Sequence, residues 1–430
     1  MLALTAAVMP MDPQPSSLRR QWFEGWFFRL VDHSSKSSVA VIFGSLRRPQ
    51  EQRQSVGPFD EHLVVVSYDD ERDGSHHMRS VKLDGDAVTL QGRSAGGFEV
   101  AAVDGASGGG GGGGGGEFSW WSERHGGMRV KGDDALLDLR FSHGLRLVAN
   151  ISSPRVLWDS SRPNEAGPEG WLSRTGLLPC HYFVHSFGSP TRYALWHGSG
   201  QTNGGRGMSD GRRHRRGGSG VGSTTTSSSS SSIGTDARHS GMGRPPRLQG
   251  SSALAHVERN WGASFPSGWV WGQATSTDGR TFLVFTGGRF VIGPLTTDSY
   301  VIGLRAVGRS GEGGEGGEDR QLNWDFRTTD LDRVREIREP CAGSLSINAT
   351  SRDGTRRLSL RLSAAPSTFG ARIMVPTMTD GFSDEPGCRE SHVAKAHVVA
   401  WQVDSGRELL RADIPRAVLE FGGGFQCTEG

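Results

Sequence analysis

The first segment that could carry chemistry places one carboxylate among aromatic residues near the start of the chain. Residues 22–29 read W-F-E-G-W-F-F-R. On a β-strand, Trp22, Glu24, Trp26 and Phe28 would share one face. Burial among aromatic side chains disfavours the ionised form of a carboxyl group, so Glu24 is a candidate general acid. The alternative is a structural ion pair between Glu24 and an arginine elsewhere in the fold.

A second acidic residue opens the richest cluster, in residues 258–273. On a strand, Trp269, Trp271 and Gln273 would share one face and form a wall of two indoles and an amide. Because the face of an indole stabilises a nearby cation, Glu258 is a second candidate acid. The alternative is that the tryptophans fill a barrel core and Glu258 has an ion-pair partner. The candidate substrate-binding residues are Trp26, Asn260, Trp261, Trp269, Trp271 and Gln273.

A third cluster contains two histidines in residues 179–185, which read P-C-H-Y-F-V-H. His181 and His185 would share a strand face with Phe183, but no acidic or cysteine partner stands at a supporting spacing, so no metal site is predicted. His181 is a candidate acceptor for a phenolic proton, and a hydrogen-bonded core histidine is the alternative. The candidate catalytic residues are therefore Glu24, Glu258 and His181, and no cofactor is expected.

The elements that must position these residues show a hydrophobic period of two. Residues 137–141 read L-D-L-R-F and residues 358–362 read L-S-L-R-L. The turn sequences T-D-G at 277–279 and D-S-G at 404–406 predict hairpins, and one short helix is predicted at 330–339. Further strands are predicted at 38–45, 62–68, 145–151, 181–187, 269–275, 281–286, 299–304 and 397–403. This pattern predicts an all-β protein with two antiparallel barrel-like units, and a closed barrel of this sort can enclose one small ligand.

Three low-complexity inserts interrupt the strand pattern: glycine at 108–116, a Gly/Ser/Arg-rich stretch at 198–250, and glycine and glutamate at 311–319. None can bury enough apolar surface to offset the entropy lost on ordering, so all three are predicted to be disordered loops. The predicted division is an N-terminal β unit at 20–197, the disordered insert at 198–250, and a C-terminal β unit at 251–430.

Charge and composition narrow the classes of partner. The 48 basic and 46 acidic residues give a net charge of +2, which argues against a nucleic-acid binder. No stretch approaches the roughly 18 to 20 apolar residues of a transmembrane helix, and no clear secretory signal or transit peptide precedes the first strand. Because the four cysteines include no C-x-x-C pair, the sequence indicates neither a zinc site nor a disulfide framework. The cysteines are predicted to be reduced and intracellular. These cysteines are Cys180, Cys341, Cys388 and Cys427.

Across these clusters the sequence resembles the tocopherol cyclase-like family. The family segments F-E-G-W-Y-F-R, F-x-P-H-W, E-K-N-W-G-x-x-F-P-x-x-W-x-W-x-Q, A-P-T, C-R-D and A-L-E-V-G-G-G are similar, in order, to residues 23–29, 178–182, 258–273, 375–377, 388–390 and 418–424. The resemblance departs from the family at three points. No H-S-G-Y-H-W segment precedes Trp22, Phe27 replaces a tyrosine, and Cys180 splits the proline–histidine pair. A missing wall of the active site and a diverged substrate would each be consistent with these departures.

The resemblance implies a lipocalin-like fold and closure of the chromanol ring of a prenylated benzoquinol, in the vitamin E pathway of plastids. An acid would protonate the prenyl double bond, the quinol oxygen would add to the tertiary cation, and the phenolic proton would leave to a base. Glu24 or Glu258 would be the acid and His181 the acceptor. The resemblance further implies a plastoglobule or thylakoid surface as location, with peripheral contact between the protein and lipid.

Two other classes of function stay open on the sequence. A lipocalin-like chain with an aromatic cavity could bind and carry a prenylquinone or a carotenoid without turning it over. An isoprenoid hydratase would share the protonation step and differ in admitting water. Cyclisation conserves the mass of the substrate and hydration adds one water, so product mass separates the two enzymes.

Overall fold

The fold is seen in a computed structural model of the chain. It describes residues 11, 21–53, 57–70, 75–92, 117–158, 167–174, 178–198, 245–292, 294–308, 320–377 and 380–428. Among the described residues there is no α-helix, and the regular structure consists of 21 strands with short 3-10 turns. None of the described segments is a helix long and apolar enough to cross a membrane.

The first sheet has 11 antiparallel strands in the order β4-β3-β2-β1-β11-β10-β9-β8-β7-β6-β5. Its strands are β1 Trp22–Asp32, β2 Ser37–Arg47, β3 Glu61–Asp70, β4 Ser75–Asp84, β5 Thr89–Gln91, β6 Glu117–Ser122, β7 Gly126–Lys131, β8 Asp134–Arg140, β9 Arg146–Ile151, β10 Cys180–Trp196 and β11 Leu248–Gly262.

The second sheet has ten antiparallel strands in the order β15-β14-β13-β12-β21-β20-β18-β17-β16, with β19 paired to β20. Its strands are β12 Gly268–Thr275, β13 Thr281–Ile292, β14 Leu295–Gly308, β15 Arg320–Arg327, β16 Arg333–Glu339, β17 Ser344–Thr350, β18 Arg356–Ser363, β19 Ile373–Thr377, β20 Gly381–Gln402 and β21 Arg407–Gly423. The predicted all-β fold with two antiparallel units is confirmed.

Each sheet curls around its own core, and a third apolar layer lies between the two sheets. In β1, Trp26 and Phe28 point into the core of the first sheet, whereas Phe23 and Phe27 point toward the second sheet. In β12, Val270 points into the core of the second sheet. Both faces of these strands are therefore buried, and the alternation of side chains along a strand decides which layer each residue joins.

The hairpin predictions are confirmed and the helix prediction is wrong. The T-D-G and D-S-G turns join β12 to β13 and β20 to β21. Residues 333–339 form the strand β16, which pairs with β17 along its full length. Pairing with β17 sets the alternation of side chains along this strand, and Ile337 is 51% exposed.

The first sheet extends beyond the predicted division at residue 250, because β11 completes it between β1 and β10. The change from one sheet to the other falls between Gly262 and Gly268. The inserts predicted at 108–116 and 311–319 lie outside the described residues, as does the insert at 198–250 apart from residue 198 and residues 245–250.

The prediction of a fully reduced set of cysteines is wrong. Cys341 and Cys427 form a disulfide across a sequence separation of 86 residues, while Cys180 and Cys388 are free thiols. The turn between β16 and β17 brings Cys341 next to the end of the chain after β21. Spacing along the sequence carries no information about a contact that the sheet creates over this distance.

Candidate active site

The candidate site is an apolar cavity in the layer between the two sheets. Its volume is about 180 Å³, similar to the roughly 150 Å³ of an apolar cavity that accepts a benzene ring. Clefts between packed units are a common place for small-molecule sites. The sequence predicted a cavity inside a barrel, whereas this cavity lies where the two curled sheets meet. Aromatic lining residues from both sheets include Phe23, Phe27, Phe265, Trp269, Trp271 and Phe382.

Two buried glutamates stand side by side in one wall of the cavity. Glu390 on β20 and Glu420 on β21 occupy directly opposed positions of the antiparallel ladder, and both line the cavity. The indole N–H of Trp269 donates a hydrogen bond to Oε1 of Glu420. Side chains opposed in this way lie close enough to share a proton, so Glu390 and Glu420 form a carboxyl pair.

Burial keeps a proton on this carboxyl pair. Loss of hydration raises the pKa of Glu390. The same burial, followed by repulsion from the Glu390 carboxylate, raises the pKa of Glu420 well above its ordinary value. Two carboxyl groups sharing a site cannot both ionise without mutual repulsion. Both raised pKa values favour the retention of a proton by the pair, which is the requirement for a general acid.

A thiol beside the carboxyl pair raises the question of a metal ion. Sγ of Cys388 and the carboxylate oxygens of Glu390 and Glu420 lie within 4.8 Å of one another. Burial raises the pKa of the Cys388 thiol well above its ordinary value, as it does for the two carboxyls. A metal would require all three groups to be deprotonated, whereas the mechanism below uses the carboxyls in their protonated form.

A second polar group lies in the cavity around Glu258 on β11. Oε2 of Glu258 accepts hydrogen bonds from the hydroxyl of Tyr182 at 2.5 Å and from the indole N–H of Trp271 at 3.2 Å. The third partner is Nε2 of His256, at 2.8 Å. Burial and the Glu258 carboxylate raise the pKa of Tyr182 well above its ordinary value, so the phenol stays a donor. Since these groups converge on Oε2, Oε1 is the oxygen best placed to receive a proton.

One strand sets the spacing between the two acidic groups. Trp269 holds Glu420 and Trp271 holds Glu258, and these tryptophans are two residues apart on the same face of β12. Two residues of a strand span about 6.6–6.8 Å. The carboxyl pair and Glu258 thus line the same cavity, and the charge of Glu258 is close enough to act on Glu390.

The remaining wall of the cavity is aromatic and tightly built. Phe27 meets the Trp271 ring edge-on with centroids 5.0 Å apart, and Phe265 lies 5.1 Å from Trp269. A Cβ at Gly422 would overlap the Trp269 indole, so the absence of a side chain at Gly422 seats this ring against β21. Aromatic faces at this density can stabilise a cation that forms inside the cavity.

Glu24, one of the candidate acids, is held in a buried ion pair. Oε2 of Glu24 lies 2.5 Å from Nη2 of Arg259, and Oε1 accepts a hydrogen bond from Trp22 at 3.1 Å. Both charged side chains are fully buried. Glu24 and Trp26 face the inside of the first sheet and reach the cavity wall where Gly25 and Gly44 stand opposite each other. The structural ion pair considered from the sequence is thus present, with Arg259 as the arginine.

The structure separates the predicted site residues into two groups according to strand alternation. Glu258 and Asn260 point into the layer between the sheets. Trp261 and His181 lie on the opposite face, where their rings stack with centroids 5.2 Å apart, and Nδ1 of His181 contacts Oε2 of Glu169 at 2.9 Å. The predicted residues that line the cavity are Glu24, Trp26, Glu258, Asn260, Trp269 and Trp271; His181, Trp261 and Gln273 are not lining residues.

Gln273 belongs to a polar extension of the inter-sheet layer. It is completely buried, and it accepts a hydrogen bond from the guanidinium of Arg29 and donates one to Thr275 at 2.7 Å. The same face of β12 therefore changes from aromatic at Trp269 and Trp271 to polar at Gln273.

Sequence reasoning gave no role to several residues of this site. They are Glu169, Tyr182, His256, Cys388, Glu390 and Glu420. Glu390 and Glu420 were visible as the acidic residues of the C-R-E and V-L-E-F-G-G-G segments. The signal that could have found them is their position inside two of the family segments. Nothing in their 30-residue separation shows that they stand opposite each other.

The fold and the site together define an all-β protein whose two sheets enclose an aromatic cavity with a protonated carboxyl pair. Comparison with known families then gives one match. Residues 244–423 match the model of the family described as tocopherol cyclase-like. The resemblance predicted from the motifs is confirmed for this part of the chain, which contains the cluster at residues 258–273 and the carboxyl pair. No curated protein matches the chain.

Solved structures with a similar arrangement of strands are distant in sequence. CghA, also solved with Sch210972, covers 95% of this chain and 89% of its own, with a TM-score of 0.48 and 10–11% identity. Kievitone hydratase from Nectria haematococca covers 98% and 94%, with a TM-score of 0.41 and 8% identity.

Proposed function

We propose that this protein is an enzyme of the cyclase or hydratase kind that adds an oxygen nucleophile to an isoprenoid double bond, and specifically a cyclase that closes the chromanol ring of a prenylated benzoquinol. The observation that carries the proposal is the pair of buried, directly opposed carboxyl groups of Glu390 and Glu420 in the wall of an aromatic cavity. The match of residues 244–423 to the tocopherol cyclase-like family supports it. A role in vitamin E formation in plastids is the corresponding biological setting.

The reaction balances without a cofactor. The O–H bond of the carboxyl pair breaks, and the π electrons of the double bond form a new C–H bond, which leaves a tertiary carbocation and a carboxylate. A lone pair of the phenol oxygen then forms the C–O bond. The phenolic proton passes to Glu258, which its neighbours Tyr182 and Trp271 orient toward the cavity. This assignment moves the acid from Glu24 or Glu258 to the pair and the acceptor from His181 to Glu258.

The aromatic walls serve two purposes in this scheme. The faces of Trp269 and Trp271 stabilise the cation while it exists. An apolar cavity also excludes water, which would otherwise capture the cation as an alcohol. The second effect decides between cyclisation and hydration, because both begin with the same protonation.

The test is to incubate the purified full chain with a methylated phytylbenzoquinol under reducing conditions and to analyse the product by chiral chromatography with mass detection. A single-enantiomer chromanol of unchanged mass is expected. A product heavier by one water would replace the cyclase with a hydratase. Quinol that is recovered bound but unconverted would contradict both enzymes for this substrate and favour the carrier.

The rim of the cavity carries exposed apolar side chains that suit contact with lipid. Leu172, Phe290 and Thr329 line the cavity, and beside them Trp171 and Leu331 are 57% and 64% exposed. The indole N–H of Trp171 lies 3.4 Å from the carbonyl of Thr329, so the segments that carry these two side chains are adjacent. A prenyl substrate dissolved in lipid would reach the cavity through such a rim, and we propose that these residues dock on the lipid surface.

Replacing both Trp171 and Leu331 by serine is expected to weaken binding to liposomes, measured by sedimentation, by about 10²-fold or more, because each buried aromatic or leucine side chain contributes on the order of 1.5–3 kcal/mol to transfer and about 1.4 kcal/mol is tenfold. Val403→Ser is the matched control, since Val403 is 44% exposed but directly follows the end of β20 at Gln402 and does not line the cavity. Equal loss in the control and the double variant would contradict a docking role for this rim.

A further inference from the structure

The carboxyl pair is connected to a chain of buried polar groups that leads away from the cavity. His392 follows Glu390 on the same face of β20, and its Nε2 lies 3.0 Å from Oε2 of Glu390. The same nitrogen lies 3.1 Å from the hydroxyl of Ser67 on β3. His392 is 1% exposed. Glu390 thus lines the cavity and also contacts a second titratable group, His392, which does not line it.

The chain continues from His392 to the protein surface. The rings of His392 and His76 are nearly parallel, with centroids 5.9 Å apart, and Nδ1 of His76 lies 3.1 Å from Oδ1 of Asp69. The side chain of His76 is 18% exposed. Three atoms of this cluster, Oε2 of Glu390, Nδ1 of His392 and Oδ2 of Asp69, are buried and make no hydrogen bond to any residue that the structure describes.

Burial and the charges around this series of polar groups favour the neutral form of His392, which would be protonated only transiently. Burial, assisted by Arg29 and His76, lowers the pKa of His392 to about 3. Burial lowers the pKa of Arg29 to about 9, so its guanidinium is still charged at neutral pH and faces the carboxylates of Asp69 and Glu390. After the pair has given up its proton, Arg29 would stabilise the carboxylate until the next proton arrives.

We propose that His392, with Asp69 and His76, is the route by which solvent protons return to the carboxyl pair of Glu390 and Glu420 after each turnover. The proposal rests on the proposed function. Each cyclisation moves one proton from the pair to the substrate carbon and one from the phenol to Glu258, so the next cycle requires that Glu258 lose one proton and that the pair gain one. In the proposed route Glu258 gives its proton to solvent as the product leaves, and the pair takes one solvent proton through His392, so no proton is gained or lost overall. His392 and His76 are positioning and transfer groups and do not contact the reacting atoms.

The test compares the first turnover with later turnovers in His392→Asn. The carboxyl pair is already loaded, so the first turnover is expected to keep the wild-type rate within about twofold, as single-turnover kinetics separate chemistry from later steps. Steady-state turnover is expected to fall by about 10²-fold, the scale of a lost proton transfer, and imidazole should restore part of it. A burst of one product per enzyme would be the signature.

His185→Asn is the matched control. His185 is also a buried strand histidine whose ring nitrogens have no hydrogen-bond partner among the described residues, and burial lowers its pKa well below the ordinary value. This variant should show no burst. Equal loss of the first and later turnovers in His392→Asn, or no loss at all, would overturn the proton route. Absence of product from the wild type in the first turnover would instead overturn the proposed function.

Discussion

Replacing Glu420 by glutamine is expected to lower kcat by about 10²- to 10⁴-fold, which is the contribution of a positioned general acid. Glutamine keeps the size of the side chain and can still accept the hydrogen bond from Trp269, but it has no acidic proton to give to the double bond. Binding of the quinol should change little, because the amide remains neutral like the protonated carboxyl. Stopped-flow product formation and equilibrium binding, measured on the same protein, check the two halves of this expectation.

Glu390→Gln should show a loss of similar size, since the two carboxyls hold one proton together. Glu61→Gln is the control: Glu61 is a strand carboxylate that pairs with Arg48 and Lys82 outside the cavity. A kcat in Glu420→Gln within threefold of the control, roughly 0.6 kcal/mol in the barrier, would remove the pair from the mechanism.

The raised pKa values of the pair also fix the direction of the pH dependence. The acid must be protonated to act, so activity is expected to be retained as pH rises through the ordinary titration range of glutamate. It should then be lost when the pH passes the raised pKa of the pair. Activity that fell already across the ordinary glutamate range would show that an unperturbed carboxyl supplies the proton.

Breaking the buried ion pair between Glu24 and Arg259 is expected to have the largest effect on stability. Glu24→Gln removes the carboxylate charge that lies 2.5 Å from the buried guanidinium of Arg259, and loss of one partner from a buried pair typically costs about 3–5 kcal/mol. Urea denaturation would measure this change in the free energy of unfolding. Activity per folded molecule should fall by less than the roughly 10²-fold expected for loss of a general acid.

Two comparisons make the ion-pair prediction specific. Asp298→Asn breaks the pair between Asp298 and Arg289, which is solvent-exposed, and should leave the unfolding free energy nearly unchanged. In the double variant Glu24→Gln/Arg259→Met, no charge remains buried at this site, so a large part of the lost stability should return. If Glu24→Gln alone were as stable as wild type, the pair would not be holding β1 to β11.

Local patterns in the sequence predict a large part of this fold. The T-D-G turn at 277–279 specifies the hairpin of β12 and β13, and the alternation around Trp269, Trp271 and Gln273 places three side chains on one face, as observed. These features depend on neighbours in sequence, where the rules of turns and strands apply directly.

The parts that could not be predicted depend on how the two sheets meet. In β1 both faces are apolar, so periodicity cannot tell which face lines a cavity and which fills a core. Glu390 and Glu420 gain their chemistry from being opposed across two long strands. His181 was selected for its aromatic neighbours, but it lies one residue out of phase with Tyr182 and so on the other face of β10. A shift of one residue along a strand moves a side chain from the face that lines the cavity to the face inside the first sheet.

The most direct test of the account is to run the cyclisation of the methylated phytylbenzoquinol in D₂O and to locate the deuterium in the chromanol by mass spectrometry and NMR. If the carboxyl pair takes its proton from solvent and gives it to the double bond, each product molecule carries one deuterium. This deuterium is bound to the carbon next to the one that forms the new C–O bond, and on one face only. A chromanol without carbon-bound deuterium would contradict protonation by the enzyme. A product with deuterium distributed over both faces would contradict protonation inside this cavity.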